Sequence, residues 1–547
     1  MRKFVSKTIL CLAAVALLAL PLTRANAQDV ELAGGVKPTM IVATASVDEL
    51  LSDANYIATA VGNPESVMMA QFMLRGMING VDTGKPVGAV LGFDGIEPVP
   101  FVMVPVSNLD AIMASVGQAG TVEFEELEEN LYSLEIPPGE TVYLTVDNGY
   151  ALLATDLDVL ENSSVSPEKL LSKMTEKHDI AVDIFVQNFP AEFKDQFLHE
   201  MKLGYENSIR FMSEEDRINS QAVMDTMFNN FERIFDELTR VSYAIGVDED
   251  STKTYLDVAV TALPGSEIDE LIESSRSLQS DYLGFLVSDA AVTYNAVGKS
   301  AQNDIDNVVA MLDNVETQVL DQMEGELSGE DLLLAQGIVK KLLDVTKESV
   351  AQEKNDGGAA LILKPGQFTF VAGAYTESGD KITDAVSDLF TLISEKGEGV
   401  PIDLSTFSDG GIDFHKMVVT LPELDEGRKV FGETVEVLIG NNNKSVYVGL
   451  GNECLPTLKK IISNPGLPTG AKELPTQFNI SVVPILNFVA ALDENPVMDA
   501  VAQQAEKYAG DDSLRLSADY IPNGVSIRLQ IDEGIWKIIG EVAQLGQ

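Results

Sequence analysis

The chain has 547 residues, 45% of them hydrophobic and 22% charged, which excludes a disordered acidic tail and allows a large buried core. Its 85 Asp and Glu residues outnumber 37 Lys and Arg residues, and the formal net charge is −48 at pH 7. A surface with this charge repels nucleic acid and anionic lipid head groups, so we exclude both as partners.

The N-terminus has the pattern of a cleavable secretory signal peptide over residues 1–27. Arg2 and Lys3 give a basic start, residues 9–20 form an apolar run, and a small-residue tripeptide ends at Ala27. The run is shorter than the roughly 20 residues that a membrane-spanning helix needs, and no later segment reaches that length. We therefore expect an exported protein with no membrane span after cleavage, in the periplasm, the cell envelope or the medium. Residues 28–38 are predicted to be a linker.

A unit of strand, helical segment, hairpin and short helix occurs four times along the chain. The first copy has a strand at 39–45 and a helical segment at 47–79. The hairpins of three copies turn at Asp-Gly, Pro-Gly or Asn-Gly pairs, because glycine reaches positive φ without steric cost. The predicted hairpin strands are 87–93 with 99–104, 242–247 with 255–262, 359–363 with 368–374, and 514–520 with 525–531.

Two inserts of strands followed by a helix, beginning near 131 and near 414, divide the chain into similar halves. We therefore predict an α+β fold with two similar lobes, residues 39–280 and 285–547, the second an internal duplicate of the first. Each lobe is built from strand-helix-hairpin-helix units with antiparallel sheets, and a ferredoxin-like sandwich is a candidate for each unit. The long helical inserts, of which the third copy has the longest, are predicted to project as an arm.

No pattern in the sequence predicts a catalytic, cofactor-binding or metal-binding residue. The three histidines, His178, His199 and His415, lie in unrelated contexts without metal-ligand spacing. Gly449-Leu450-Gly451 lacks the third glycine of a nucleotide-binding turn, so we interpret it as a structural turn. We therefore expect no cofactor, and enzymatic activity is the less favoured hypothesis.

Two other features are interpreted as having no functional role. The glutamates at 123–129 are interpreted as a solvated charge run, because no calcium-loop spacing accompanies them. Cys454 is the only cysteine after signal cleavage, so no internal disulfide can form, and we expect its thiol to be buried and inert.

The helix predicted around residues 67–78 is apolar on all sides, with Arg75 as its only charge. Such a helix is either buried on every side or provides an adaptable contact surface. Its candidate contacts to an apolar ligand or a protein partner are Met68, Met69, Phe72, Met73 and Met77.

Two segments, residues 86–106 and 181–188, resemble the large exported proteins of unknown function that are abundant in planctomycete bacteria. The resemblance covers mainly the first half of the chain and implies no activity, so it gives no residue a role.

Three functions follow as hypotheses. The first is an exported non-catalytic envelope or secreted protein whose duplicated scaffold presents a binding surface to an unknown protein. The second is a carrier of an apolar ligand in a methionine-rich pocket. The third is a hydrolase that uses dispersed carboxylates, since spacing does not discriminate in a chain with 85 acids.

Overall fold

The structure is a computed structural model. It describes residues 31–32, 35–119, 124–136, 140–209, 228, 231–326, 329–352, 354–376, 379, 381, 383–388, 402–422, 427–464, 466, 473–492 and 495–545. The predicted signal peptide lies outside the described residues.

Helices and strands are interspersed along the whole chain. The strands are β1 (Pro38–Ser46), β2 (Pro86–Asp94), β3 (Glu97–Pro105), β4 (Phe124–Glu128), β5 (Leu131–Ile136), β6 (Glu140–Asp147), β7 (Tyr150–Ala154), β8 (Ile180–Phe185), β9 (Leu238–Asp248), β10 (Lys253–Ala262), β11 (Val292–Gly298), β12 (Asn355–Lys364), β13 (Gln367–Tyr375), β14 (Ile402–Asp409), β15 (Ile412–Thr420), β16 (Thr434–Asn442), β17 (Ser445–Gly451), β18 (Thr476–Ser481), β19 (Ser513–Ile521) and β20 (Gly524–Asp532). The helices are α1 (Val47–Ala60), α2 (Pro64–Met77), α3 (Leu109–Ala119), α4 (Leu157–Asn162), α5 (Pro167–Thr175), α6 (Ala191–Ile209), α7 (Glu267–Ser275), α8 (Gln302–Glu326), α9 (Glu330–Val350), α10 (Gly427–Phe431), α11 (Cys454–Ser463), α12 (Val482–Leu492), α13 (Pro496–Ala505) and α14 (Glu533–Leu545).

These 20 strands belong to a single sheet, and the strand pairs described below are all antiparallel. The predicted fold class, two separate α+β lobes built from ferredoxin-like units, is therefore wrong. The reason is that the edge of a hairpin exposes unpaired N–H and C=O groups, which a further strand can satisfy. The local pattern predicts a strand and its turn but not the partner of its outer edge, and here outer edges pair with other hairpins.

Contacts divide the chain into two compact units. Unit 1 comprises the residues up to Asp269 together with Ile521–Trp536, and unit 2 comprises Glu270–Tyr520 together with the residues from Lys537 onward. In unit 1 the strand order is β4-β5-β6-β7-β3-β2-β1-β8-β9-β10-β20. In unit 2 it is β14-β15-β16-β17-β13-β12-β11-β18-β19. The second order repeats the first, strand for strand, from β4 to β9.

The four predicted hairpins are confirmed, as β2–β3, β9–β10, β12–β13 and β19–β20. Gly95 and Gly366 turn with φ of 60° and 74°, as expected for glycine. At the last turn the positive φ, 56°, belongs to Asn523 and not to Gly524. Asparagine tolerates this left-handed conformation better than most residues, so the turn still forms.

The core of unit 1 lies on one face of its sheet. Alternate residues of β1, such as Ile41 and Ala43, are fully buried there, as the two-residue period of a strand requires. Helix α5 covers this face with Leu171. A Cβ at Gly88 would lie 2.2 Å from Leu171 Cδ2, so only glycine lets α5 approach β2 so closely.

The core of unit 2 centres on Phe285, which lies in a short 3₁₀ turn and is almost fully buried. Gly358 of β12 and Gly373 of β13 lie beneath this ring, and a Cβ at either would come within 3.0 Å of Phe285 side-chain atoms. Leu438 and Leu458 pack in the same cluster.

The predicted helical arm corresponds to α8 and α9, which pack against each other. Lys347 of α9 joins the two helices by ion pairs of 2.6 Å to both Asp313 and Glu316 of α8. None of the helices in the described ranges combines the length and apolarity that crossing a membrane requires.

Candidate functional site

Helix α2 places four of the five predicted contact residues in solvent. Pro64 occupies its first turn, where a missing N–H costs nothing. The exposed fractions are 59% for Met68, 67% for Met69, 80% for Phe72 and 68% for Met73. These four side chains are called the apolar surface below. Met77 ends the helix, and its side chain lies outside the described part of the structure.

A cavity of about 510 Å³ lies beside α2, but the apolar surface does not line it. Its apolar lining among the described residues is Leu51 of α1 and Ile78. The other lining residues are polar: Asp48, Ser52, Asn55, Gln71 and Thr83. Among the described side chains, no methionine lines this cavity, so they do not form the methionine-rich pocket of the carrier hypothesis there.

Next to this cavity, α1 brings Asp53 against Asp179, which immediately precedes β8. Both side chains are buried, and their carboxyl groups are hydrogen-bonded to each other. Asp179 Oδ2 also accepts a hydrogen bond of 2.7 Å from the backbone N–H of Val247 in β9. We call Asp53 and Asp179 the carboxyl pair.

Burial is the main cause of the shifted titration of the carboxyl pair. Burial, then the charge of Asp179 and the hydrogen bond to it, together raise the pKa of Asp53 to about 7. Burial also raises the pKa of Asp179, although its hydrogen bond from Val247 opposes the effect. The hydrogen bond between the two carboxyl groups raises the pKa of Asp53 and lowers that of Asp179, as expected when Asp53 is its donor.

Further acids surround the carboxyl pair. Ser52 Oγ donates a 3.0 Å hydrogen bond to Glu249 in the β9–β10 turn. The pKa of Glu49 is raised by burial and then by the charge of Asp179. In the part of the chain that the structure describes, no group of three or more His, Cys, Asp or Glu side chains is arranged to hold a metal ion.

A second buried charge group lies where β10 meets β20. Asp257 faces Arg528 directly across the strand pair and accepts two hydrogen bonds from it, of 2.8 Å and 2.6 Å. His178 Nε2 lies 3.1 Å from Asp257 Oδ2, and it reaches this position over Gly246 of β9, which has no side chain. The guanidinium of Arg528 also stacks 4.3 Å from the centre of the Tyr255 ring.

His178 and Asp257 are the residue types of a catalytic histidine–aspartate pair, but the groups around them differ from those of such a pair. Arg528 already neutralises Asp257, whereas a catalytic aspartate orients a histidine toward a nucleophile. Among the described residues, His178 Nδ1 is buried and has no hydrogen-bond partner. We therefore assign this group a structural role.

A third group ties β8 to β9. Asp183 Oδ1 accepts hydrogen bonds of 2.7 Å from Arg240 and 2.5 Å from Ser242, and the Arg240 guanidinium lies over the Phe185 ring. Neither Asp183 nor Asp257 was predicted from the sequence. A usable signal existed, because both acids occupy core-facing positions of alternating strands, where a carboxylate needs a cationic partner.

The remaining sequence candidates are dispersed. His178 precedes β8, His199 is exposed on α6, and His415 is buried in β15, where burial lowers its pKa. Cys454 is fully buried, and burial raises the pKa of its thiol to about 12, which makes it a poor nucleophile at neutral pH.

Two further patterns have structural explanations. Gly451 has φ of 116°, and a Cβ there would lie 2.1 Å from the Phe368 carbonyl oxygen. The glycine is thus required by a close backbone approach, as the structural-turn interpretation expects. Glu125, Glu126 and Glu128 are exposed on β4, whereas Glu123 lies outside the described residues.

Unit 2 contains a larger cavity, of about 690 Å³, along α11. Lys364 and Lys460 line it together with Asp289 and Glu453, so its charges are mixed. Lys364 already pairs with Asp289 at 3.6 Å. This groove therefore has no convergent set of groups for one ligand charge.

In comparisons with known proteins, no family model matches this chain. No curated protein matches it at a significant level either.

Proposed function

We propose that this chain is an exported, non-catalytic binding protein that docks a basic amphipathic polypeptide segment on the apolar surface of α2. The observation that carries the proposal is the exposure of Met68, Met69, Phe72 and Met73 on one helix. Large apolar side chains clustered in solvent commonly mark interaction sites. Methionine adapts its shape to different partners, which suits a surface that anchors apolar side chains.

Charge favours a basic partner over an acidic or neutral one. The chain carries a formal net charge of −48, which steers cations toward it. Acids also lie close to α2, because Asp48 of α1 lines the same cavity as Gln71 of α2. Glu49 follows Asp48 on α1, so a helix with apolar anchors and flanking lysines would match both the apolar surface of α2 and the acids of the neighbouring helix.

The export part of the proposal is supported by residues 1–27, whose basic start, apolar run and small-residue end are typical of a signal peptide. Expression with a functioning export system should give a mature N-terminus at Gln28, measured by intact-mass spectrometry of the purified protein. Retention of the full chain inside the cell would contradict this part.

Docking can be tested with a fluorescein-labelled synthetic helical peptide made of leucine and lysine. We expect fluorescence anisotropy to show saturable binding by the mature protein. The double variant Met69→Ser, Phe72→Ser should weaken binding by about tenfold or more, because buried apolar anchors dominate such interfaces. Leu333→Ser is the matched control, since Leu333 is 70% exposed on α9, away from α2 in sequence.

The outcomes separate the hypotheses. Equal binding of a leucine–glutamate peptide would contradict the charge argument. Equal loss of binding in the Leu333 control would show that the effect is not specific to α2. Absence of peptide binding, together with stoichiometric binding of a fluorescent fatty acid, would replace the proposal by the carrier of an apolar ligand.

A further inference from the structure

We propose that the carboxyl pair is a pH-sensitive latch that holds α1 on the sheet while the pair shares a proton and releases α1 when that proton leaves. The latch would regulate the docking surface, and in this respect it rests on the proposed function. It is a property of Asp53 and Asp179 themselves, so it can be tested without any partner.

Helix α1 depends on polar contacts for its position. Of its 14 residues, the buried ones are Asp53 and Ala60. Its start is held by Asp48, which accepts a 3.0 Å hydrogen bond from Thr83 Oγ1. Its middle is held to the strands by the bond from Ser52 to Glu249 and by the carboxyl pair. Beside the half-buried apolar side chains of α1, such as Leu50 and Ile57, the buried carboxyl contact is thus a polar link between the middle of the helix and the strands.

The surroundings of the carboxyl pair disfavour a second negative charge. Two acids act on it, Glu49 from α1 and Glu249 from the β9–β10 turn. Strand β1, which packs against α1, has no titratable side chain. The pKa of Asp179 is lowered by the hydrogen bond from the Val247 N–H, by the hydrogen bond from Asp53 and, least, by His178, whose ring Asp257 already engages.

Among the residues that the structure describes, the carboxyl pair has no Lys or Arg partner. Within the described ranges, no Lys or Arg side chain forms an ion pair with Asp53 or Asp179, and Asp53 Oδ2 is buried without a hydrogen-bond partner. Loss of the shared proton would leave two carboxylates at hydrogen-bond distance in a buried site. Like charges at this separation repel strongly where water is excluded, and the simplest relief is movement of α1 away from β8 and β9.

Movement of α1 changes the setting of the apolar surface. Helices α1 and α2 are joined by residues 61–63 and pack against each other. The cavity between them is lined by Asp48 and Gln71, one from each helix. When α1 leaves the sheet, α2 loses this neighbour, and the apolar surface loses the acids that lie beside it.

Hydrogen–deuterium exchange of the mature protein tests the latch. After correction for the intrinsic exchange rate, we expect the α1 amides of the wild-type protein to lose about tenfold or more in protection between about pH 5 and about pH 8.5. Asp53→Asn should retain its protection at both pH values, because an amide donates to Asp179 without titrating. Asp110→Asn, an exposed aspartate on α3, is the matched control and should behave like the wild type.

Asp179→Asn provides a second route if the first variant does not fold, and it should also abolish the pH dependence. Wild-type α1 protection that is equal at both pH values would overturn the latch, as would a full pH dependence in both variants. The leucine–lysine peptide is then titrated at both pH values. Absence of peptide binding at either pH, with loss of α1 protection, would refute the docking proposal and leave the latch supported.

Discussion

Asp257 lies in the middle of a strand, where an isolated carboxylate would be strongly destabilising. Its side chain is 2% exposed, and Arg528 and His178 bind both of its oxygens. Asp183 likewise accepts hydrogen bonds from Arg240 and Ser242. Asp183 and Asp257 thus act as ties between neighbouring strands.

We predict that Asp257→Ala lowers the free energy of unfolding by about 3 kcal/mol or more, because it leaves Arg528 and the buried His178 without their partner. Urea denaturation followed by circular dichroism measures this change. Asp250→Ala in the exposed β9–β10 turn is the control and should change stability by less than about 0.5 kcal/mol. Equal stability of the two variants would show that the Asp257 contacts contribute little.

Helix α1 is the element whose stability should depend most on pH. Burial, and after it the neighbouring Asp179, raise the pKa of Asp53 from 3.8 to about 7, so the folded state holds its proton more tightly than the unfolded chain. The stabilisation is complete below the unfolded pKa of about 4 and is lost as pH rises through about 7, at up to about 1.4 kcal/mol per pH unit.

We therefore predict that the wild-type protein loses stability relative to Asp53→Asn between about pH 4 and about pH 7. Urea midpoints measured at a series of pH values check this difference, with Asp110→Asn as the charge-matched control. Parallel curves for the wild type and Asp53→Asn would contradict a raised pKa at Asp53.

Among the secondary-structure elements, the hairpins could be predicted from the sequence, whereas the strands that pair with their outer edges could not. The alternation of 87–93 and 99–104 around Asp94-Gly95 is local, and the structure places β2 and β3 there. Helix α2 was also predicted, but its solvent exposure was one of two alternatives, because an all-apolar helix fits a core equally well. The carboxyl pair depends on a contact between α1 and the start of β8, which no local pattern encodes.

For the whole molecule, the decisive unpredicted feature is the pairing of β10 with β20. Both strands, Lys253–Ala262 and Gly524–Asp532, have ordinary alternating sequences. Neither sequence indicates that the other strand is its pairing partner. Two halves were predicted from the repeated units, whereas contacts assign Ile521–Trp536 to unit 1. A single sheet follows from pairings between hairpins, which depend on long-range geometry.

Removal of the C-terminal strand should damage unit 1. A chain that ends at Tyr520 lacks β20 and Arg528, so the edge of β10 loses its ladder and Asp257 loses its cation. We predict that the β10 amides lose hydrogen-exchange protection and that the protein aggregates more readily. A chain that ends at Trp536 keeps β20 and should retain protection in β10. Equal protection in the two truncated chains would contradict the assignment of β20 to unit 1.

The contact between Asp257 and Arg528 spans 271 positions of the chain. The N-terminal residues leave the ribosome long before residue 528 is synthesised. Until then, the edge of β10 has no strand partner and the Asp257 carboxylate has no Arg528 beside it. Closing so long a loop is entropically slow, and distant contacts of this kind delay folding. Completion of unit 1 must therefore follow synthesis of residue 528, and a chaperone that shields open strand edges would be of most use before that point.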